Sequence, residues 1–206
     1  MAPARSLLTM TLNISSKVVT CLQHVTLLVL FDLSAAFDTV DHSILLQRLQ
    51  TKLGISGTVL NWFCSYLSGR SQRVSIDGSI SNKHYLDCGV PQGSCLGPVL
   101  FTIYTSKLFD IIAKHLARAH SFADDTQLYV SFSPKEEDGQ SSAIFATERC
   151  IIDIKKWMAE DKLLMNDTKT EFLVIGTRQQ LSMININSIK IGDADISGRG
   201  SIAHCP

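Results

Sequence analysis

Apolar and polar residues alternate along the chain in a way that predicts short strands and amphipathic helices in mixed order. The aliphatic run Val25–Phe31 is typical of a strand buried on both faces, and it ends abruptly at Asp32. Two helical repeats of apolar residues follow, over residues 44–53 and 59–67, and a glycine comes soon after each. The first third of the chain is therefore predicted to be a strand followed by two helices.

The middle of the chain carries the signals of a hairpin, a loop and a helix. Residues 73–86 contain two β-prone runs around the turn pair Asp77-Gly78. A glycine-rich stretch follows over residues 89–97. The long apolar segment at residues 98–117 predicts one helix, with a proline in its first turn.

The last third of the chain predicts a second hairpin, a helix and two strands. Alternating apolar residues flank the pair Asp124-Asp125, which places two acids at a hairpin tip. A polar loop leads to a helix from about residue 142 to residue 161, and residues 171–175 and 183–191 predict strands. Because helices and strands are mixed without an internal repeat, the predicted fold class is α+β.

The length of the chain sets its expected domain organisation. A chain of 206 residues with 45% hydrophobic residues can bury one substantial core, so we expect a single globular domain. Residues 1–24 show no clear period and form a poorly defined N-terminal segment. Residues 25–178 hold the domain itself, and residues 179–206 are expected to add a C-terminal strand and a tail.

Charge and cysteine content limit the possible functions. The 19 basic and 19 acidic side chains cancel, so no net field draws a polyanion to the surface, and any nucleic-acid contact must be local. The six cysteines include no Cys-x-x-Cys pair and follow no secretory leader, which indicates reduced intracellular thiols and no structural zinc site. The sequence contains no basic cluster of the nuclear-import type, so it does not decide between nucleus and cytoplasm.

The apolar run at residues 18–31 can be compared with a membrane span. Polar residues interrupt it, and it falls short of the ~20 residues that a membrane span needs. We therefore expect a buried strand here and no membrane partner.

Three aspartates carry the candidate chemistry. Asp32 alone has an ordinary explanation as a helix cap or a solvated turn residue, and water at a hairpin tip is enough to separate Asp124 from Asp125. If the sheet brings Asp32 beside Asp124, however, carboxylates converge with no basic residue nearby in sequence. Hard divalent cations prefer such ligands, so Mg²⁺ is the predicted ion, with Mn²⁺ as an alternative. Two such ions ~3.5–4 Å apart support phosphoryl or nucleotidyl transfer.

The sequence around these acids resembles that of LINE-like, non-LTR reverse transcriptases. Residues 30–42 (LFDLSAAFDTVDH) resemble the first palm motif of the family, and residues 89–98 (GVPQGSCLGP) resemble the second. Residues 122–125 (FADD) resemble the metal-binding hairpin, and residues 157–171 resemble the segment that follows it. The order and spacing also agree, and the likeness covers roughly residues 25–178.

The resemblance implies a fold and an activity. It implies a polymerase-type palm, in which a mostly antiparallel sheet packs against helices. It also implies RNA-directed DNA polymerase activity, with an RNA template, a DNA primer and deoxynucleoside triphosphates as partners. By position in the motifs, Asp32 and Asp124 would be metal ligands, and Asp125 would be the neighbouring acid of the metal site.

Five further positions take a role from the resemblance. Phe37 would be the steric gate that disfavours a ribose 2′-hydroxyl, where the ordinary alternative is a buried phenylalanine. Gln92 and Gly93 would lie against the template base and the incoming nucleotide, where the alternative is a tight turn. Lys169 would neutralise or protonate the leaving pyrophosphate, or be a solvated lysine. Arg73 is a candidate for contact with template or phosphate.

The chain also departs from the family pattern. Family members have a long fingers region before the first motif and a thumb after the palm, whereas here about 24 residues precede the first strand. We therefore expect fingers and thumb to be largely missing, polymerase activity to be weak or absent, and the exposed fingers-facing surface to favour self-association.

Two other functional classes stay open at this stage. One is a non-catalytic relic of a retroelement, or a small module that binds nucleic acid or a protein. The other is a two-metal nuclease or phosphotransferase on an unrelated fold. The latter needs only the acids and does not explain the Pro-Gln-Gly motif or the aromatic residue at Phe37.

Overall fold

A computed structural model describes residues 24–91, 93–115, 117–122, 125–191, 194–197 and 201–203. The strands in this part of the chain are β1 (Val25–Phe31), β2 (Leu33–Ser34), β3 (Ser71–Gln72), β4 (Ser75–Ile76), β5 (Ser79–Ile80), β6 (His84–Tyr85), β7 (Arg118–Phe122), β8 (Asp125–Phe132), β9 (Leu164–Met165), β10 (Glu171–Gly176), β11 (Ser188–Ile191), β12 (Ala194–Ser197) and β13 (Ser201–Ala203). The helices are α1 (His42–Leu53), α2 (Gly57–Leu67), α3 (Gly97–Tyr104), α4 (Lys107–Ile112), α5 (Gly139–Glu160), a 3₁₀ turn (Asp167–Lys169) and α6 (Arg178–Leu181).

A five-stranded sheet with the order β13-β10-β1-β8-β7 is the main sheet of the described residues. The central strand β1 pairs antiparallel with β10 on one side and with β8 on the other, and β7 and β8 form an antiparallel hairpin. Only the pairing of β13 with β10 is parallel. The prediction of an α+β fold with a mostly antiparallel sheet is confirmed.

Contacts divide the chain into two compact units. The first comprises Met1–Asp32, Ile111–Ile154 and Asn166–Pro206, and the second comprises Leu33–Asp110 and Lys155–Met165. The sequence-based boundaries at residues 24/25 and 178/179 stay a prediction, as does the expectation of one globular domain. The N-terminal segment before residue 24 lies outside the described residues.

The first unit is built on the five-stranded sheet. Its central strand β1 is buried at every position except Leu30, as the continuous aliphatic run predicted. Helix α5 turns a stripe at i, i+3, i+4 and i+7 into the interior, which includes Ala143, Ala146, Cys150 and Ile154. Burial raises the pKa of the Cys150 thiol to about 12, so this cysteine is inert core.

The second unit contains the predicted strand-to-helix turn, helices α1 to α3 and the predicted hairpin. Asp41 caps α1 by accepting hydrogen bonds from the backbone N–H of Ser43 at 2.9 Å and of Ile44 at 3.0 Å. Gly54 ends the helix in the left-handed conformation, with φ of 67°. Leu45 and Leu49 of α1 are completely buried, as the helical repeat predicted.

Two segments differ from the predicted elements. Residues 98–117 form two short helices instead of one, because the chain turns at Thr105 and Ser106, where the Thr105 hydroxyl donates to the carbonyl of Phe101 at 3.0 Å. The strand predicted over residues 183–191 is limited to Ser188–Ile191.

Helix α2 forms as predicted but buries little of its apolar stripe. Among its residues only Leu67 is buried, whereas Val59 and Trp62 are 56% and 52% exposed. No helix within the described residues is long and apolar enough to span a bilayer.

Candidate active site

Asp32 directly follows the central strand of the sheet. Its neighbour Phe31 is buried, and its own backbone carbonyl accepts a hydrogen bond from the N–H of Asn166 at 2.9 Å. The sheet on one side and the Asn166 bond on the other therefore fix the backbone that carries this carboxylate. The side chain of Asp32 is 21% exposed, so its oxygens remain within reach of a ligand.

The β7–β8 hairpin ends beside Asp32. The register of β1 with β8 runs to the pair Phe31 and Thr126, and the next residues on the two strands are Asp32 and Asp125. The last register pair is therefore followed by an aspartate on each of the two chain segments. Asp124 lies outside the described residues.

Lys169 supplies a positive charge at the same place. It ends the 3₁₀ turn Asp167–Lys169, and its Nζ donates to Asp32 Oδ2 at 2.8 Å. The lysine side chain is 67% exposed, so it can leave the carboxylate without breaking a packed core. The pairing was not visible in the local sequence around Asp32, because the two residues are 137 positions apart.

The donor chemistry of this end of the sheet fits a hard divalent cation. Asp32 and Asp125 offer carboxylate oxygens, which are the ligands that Mg²⁺ prefers. Within the described ranges no three His, Cys, Asp or Glu side chains converge on one point, and the third candidate acid, Asp124, is outside those ranges. Carboxylates here would need a cation to offset their repulsion, and at Asp32 the Lys169 ammonium does so.

In the second unit, Phe37 lies in a tight turn that the glycine-rich loop holds. The ring of Phe37 stacks on Phe101 with centroids 4.9 Å apart and an interplanar angle of 26°. Its carbonyl accepts a hydrogen bond from the N–H of Val90 at 2.8 Å. A Cβ on Gly89, whose φ is +90°, would come within 3.0 Å of the Asp38 carbonyl oxygen, so only glycine allows this approach.

The glycine-rich loop is ordered by its own hydrogen bonds. The Ser94 hydroxyl donates to the Pro91 carbonyl at 2.8 Å and accepts from the N–H of Gly97 at 3.0 Å. Gly93 is exposed and has a φ of +77°, and Gln92 lies outside the described residues. The tight turn and the open backbone at Gly93 are both compatible with the close approach of a nucleotide.

His42 also holds this loop, and sequence reasoning gave it no role. Its Nε2 lies 2.8 Å from the Gly89 carbonyl oxygen. The only available signal was its place at the end of the first motif. Arg73 lies apart from these contacts, exposed on the hairpin between β3 and β4.

Residues 2–190 match the protein family described as Reverse transcriptase (RNA-dependent DNA polymerase). The chain belongs to this family. Members of the reverse transcriptase family generally use divalent metal ions, and homologues bind RNA templates. The candidate metal site and the glycine-rich loop of this reverse transcriptase domain both lie within the matched residues.

Relatives of this reverse transcriptase domain include proteins of mobile elements. The RNA-directed DNA polymerase from mobile element jockey of Drosophila funebris is 38% identical over 77 residues, which are 37% of this chain and 8% of the relative. The probable RNA-directed DNA polymerase from transposon X-element of Drosophila melanogaster is 35% identical over 96 residues, which are 46% of this chain and 10% of the relative. The chain thus spans about a tenth of these relatives. The prediction of a LINE-like, non-LTR reverse transcriptase domain is confirmed.

Solved telomerase structures share the fold of this reverse transcriptase domain. An apo telomerase from Candida tropicalis, truncated from its C-terminal domain, has a TM-score of 0.58 at 13% identity and covers 96% of this chain and 39% of that chain. Telomerase from Candida albicans, in complex with the TWJ fragment of telomeric RNA, has a TM-score of 0.57 at 12% identity and covers 96% of this chain and 34% of that chain.

Proposed function

We propose that this chain carries the catalytic palm of an RNA-directed DNA polymerase, which extends a DNA primer on an RNA template by two-metal nucleotidyl transfer. One observation carries the proposal: Asp32, which follows the last β1–β8 register pair Phe31 and Thr126 at the end of the sheet, accepts a hydrogen bond from Lys169 there. Carboxylates at the end of a buried central strand are held rigidly, which is what positioning of reacting groups requires.

The three aspartates form the proposed metal site. Asp32, Asp124 and Asp125 would hold Mg²⁺, or Mn²⁺ in its place. When bound, the ions supply electrostatic alignment of the attacking primer hydroxyl and the leaving phosphate oxygen. Lys169 has a long exposed side chain that reaches Asp32 in this structure, and it is proposed to neutralise or protonate the pyrophosphate that leaves.

Four further residues are proposed to contact nucleotide or template. Phe37 is the proposed steric gate, and its ring stacks on Phe101. Gly93 lets the backbone approach the incoming nucleotide, and Gln92 offers an amide for hydrogen bonding to a template base. Arg73 is proposed to contact template or phosphate from the hairpin.

Primer extension tests the proposal. We expect the chain to extend an oligo(dT) primer on poly(rA) in Mg²⁺ or Mn²⁺, and Asp32→Asn or Asp124→Asn to lower the rate by at least about 10²-fold. Asp110→Asn removes an exposed acid that pairs with Lys52 and serves as the control, with unchanged extension. The expected weakness of the chain's activity is measured in the same assay.

The same assay tests the proposed role of Phe37 as a steric gate. Phe37→Val should raise the insertion of ribonucleotides relative to deoxyribonucleotides, because the flat ring no longer opposes the 2′-hydroxyl. Equal extension by the wild type and by the aspartate variants would contradict the metal site. If no protein extends a primer, and neither ion raises the melting temperature of the wild type, the non-catalytic alternative is supported instead.

A further inference from the structure

The β4–β5 hairpin is a two-stranded ribbon with an open edge. Its turn residues Asp77 and Gly78 have φ of 48° and 83°, as in a two-residue type I′ turn. Every residue from Ser71 to Tyr85 is exposed, and no third strand of the described residues joins β4. A two-stranded hairpin is only marginally stable in water, and a further strand stabilises it. The outer edge of β4 is therefore a place where another strand can pair.

The hydrogen bonds of the hairpin determine which backbone groups of β4 point outward. Ile76 is the last residue before the turn, where both backbone groups bond across a two-residue hairpin. The N–H of Ser81 donates to the Val74 carbonyl at 2.9 Å, so Val74 also faces the partner strand. Because inward and outward positions alternate, the N–H and C=O of Ser75 point away from the hairpin. Ser75 can thus exchange two hydrogen bonds with a further strand.

The sequence of this edge is complementary to itself in the antiparallel direction. Around Ser75 the chain carries a cation, an aliphatic residue, the serine, an aliphatic residue and an acid, which are Arg73, Val74, Ser75, Ile76 and Asp77. An antiparallel pair of two copies centred on Ser75 sets Arg73 of each copy opposite Asp77 of the other. The same pairing sets Val74 opposite Ile76, which are 58% and 66% exposed in the single chain.

The order of charges along β4 favours a two-fold arrangement of two copies. A two-fold contact uses the same residues from both copies, so each attractive pair occurs twice. Arg73 and Asp77 are both exposed, and their opposite charges would meet across the contact. A parallel pairing in register would instead set Arg73 against Arg73 and Asp77 against Asp77. Like charges oppose that arrangement, so the antiparallel one is selected.

We infer that this chain forms a two-fold dimer through the outer edge of β4, which creates a four-stranded antiparallel sheet with the order β5-β4-β4-β5 across the two copies. Because two short strands bury a small area, its dissociation constant is expected in the micromolar to millimolar range. The dimer needs neither metal nor nucleic acid, and it is independent of the proposed polymerase chemistry. It engages the Arg73 side chain, so the dimer and the proposed contact of Arg73 with template or phosphate exclude each other.

An exchange of charges tests this pairing directly. The full chain is followed by sedimentation in EDTA at low ionic strength without nucleic acid, and the wild type should shift from monomer to dimer as its concentration rises. Arg73→Glu sets two acids opposite each other, and Asp77→Lys sets two cations opposite each other, so each variant should dimerise about 10-fold or more weakly. An equimolar mixture of the two variants should recover the dimer, because each acid then meets a cation.

Two isoleucines of the hairpin provide a matched pair of variants. Ile76 and Ile80 are 66% and 65% exposed, but Ile76 lies on the pairing strand β4 and Ile80 on the outer strand β5. Ile76→Lys should weaken the dimer about 10-fold or more, whereas Ile80→Lys should dimerise as the wild type does. Ser75→Pro removes an outward N–H and leaves the bonds of the hairpin itself intact, so it should also prevent dimerisation. An unchanged melting temperature of the dilute variants shows that they fold.

Three outcomes would overturn the inference. The first is a wild type that remains monomeric up to about 1 mM. The second is a mixture of Arg73→Glu and Asp77→Lys that remains monomeric although the wild type dimerises. The third is a dimer that Ile76→Lys leaves intact or that Ile80→Lys weakens equally, which would assign self-association to another surface. Asp32→Asn should dimerise as the wild type does, so a failure of primer extension leaves this result readable by itself.

Discussion

At the scale of single residues, Asp41 links local helix chemistry to a distant part of the chain. Its carboxylate caps α1, and its Oδ2 accepts a hydrogen bond from the Lys162 Nζ at 2.5 Å. The hydrogen bond from Lys162 is the main reason that the pKa of Asp41 lies below its usual value of 3.8, and the two cap N–H groups lower it further. The charged form of Asp41 is therefore favoured by folding.

This pKa predicts how stability depends on acid. Folding lowers the pKa of Asp41, so the charged carboxylate stabilises the folded state. This contribution to stability is fully present above about pH 5 and is lost as the pH falls below 3.8 toward the folded pKa. Lys162→Gln should reduce this loss, measured as melting temperature between pH 6 and pH 3. Lys52→Gln, at an exposed pair, serves as the control. If Lys162→Gln leaves the change of melting temperature between pH 6 and pH 3 unaltered, the lowered pKa of Asp41 does not explain the loss of stability in acid.

Gly89 tests whether the close approach of the glycine-rich loop matters for stability. Gly89→Ala adds a Cβ within 3.0 Å of the Asp38 carbonyl oxygen at a φ of +90°, and should cost about 2–4 kcal/mol. Gly69→Ala is the matched control, because its φ is +67° and nothing lies within 4 Å of the added atom. It should cost about 1–2 kcal/mol in urea unfolding, which is the cost of a Cβ at a left-handed φ alone. Equal costs for the two variants would contradict the steric account.

At the scale of elements, a buried ion pair ties α1 to the end of α5. Arg48 donates to Asp161, and both side chains are about one-tenth exposed. The Arg48 guanidinium also lies 5.0 Å from the ring centroid of Tyr104, whose hydroxyl donates to the Asp161 carbonyl at 2.5 Å. Three helices therefore meet at one charged cluster inside the second unit.

Removing one partner of this pair should be costly. Arg48→Ala leaves the Asp161 carboxylate buried without its cation, and should lower the free energy of unfolding by about 3–5 kcal/mol. Lys52→Ala breaks the exposed pair with Asp110 and should cost about 0–1 kcal/mol. Chemical denaturation measures both, and a loss below about 1 kcal/mol for Arg48→Ala would show that water reaches the site.

The local sequence pattern was enough to predict most elements. It was not enough to predict the exposure of helix α2 or the break between helices α3 and α4. The strand Val25–Phe31 and the turn at Asp77-Gly78 depend on neighbouring residues, and both appear as predicted. The exposure of Trp62 on α2 depends on what packs against the helix, which periodicity does not encode. The break at Thr105 likewise depends on a hydroxyl that bonds its own helix backbone.

At the scale of the whole molecule, the candidate site could be predicted as a set of residues but not as a set of contacts. The motifs pointed to Asp32 and Lys169 separately, through resemblance. Their contact at 2.8 Å depends on the strand order, which brings β10 beside β1. The roles of all the candidate site residues stay predictions, and Asp124 and Gln92 also lie outside the described residues.

The strand order also decides when the sheet can form during synthesis. The central strand β1 leaves the ribosome first, yet its partner β10 ends about 145 residues later, at Gly176. At 5–20 residues per second, one edge of this largely aliphatic strand stays unpaired for roughly 7–30 s. The nascent protein therefore passes through a period in which the edge of β1 that later pairs with β10 is unpaired. A chaperone that shields aliphatic segments would act during this period.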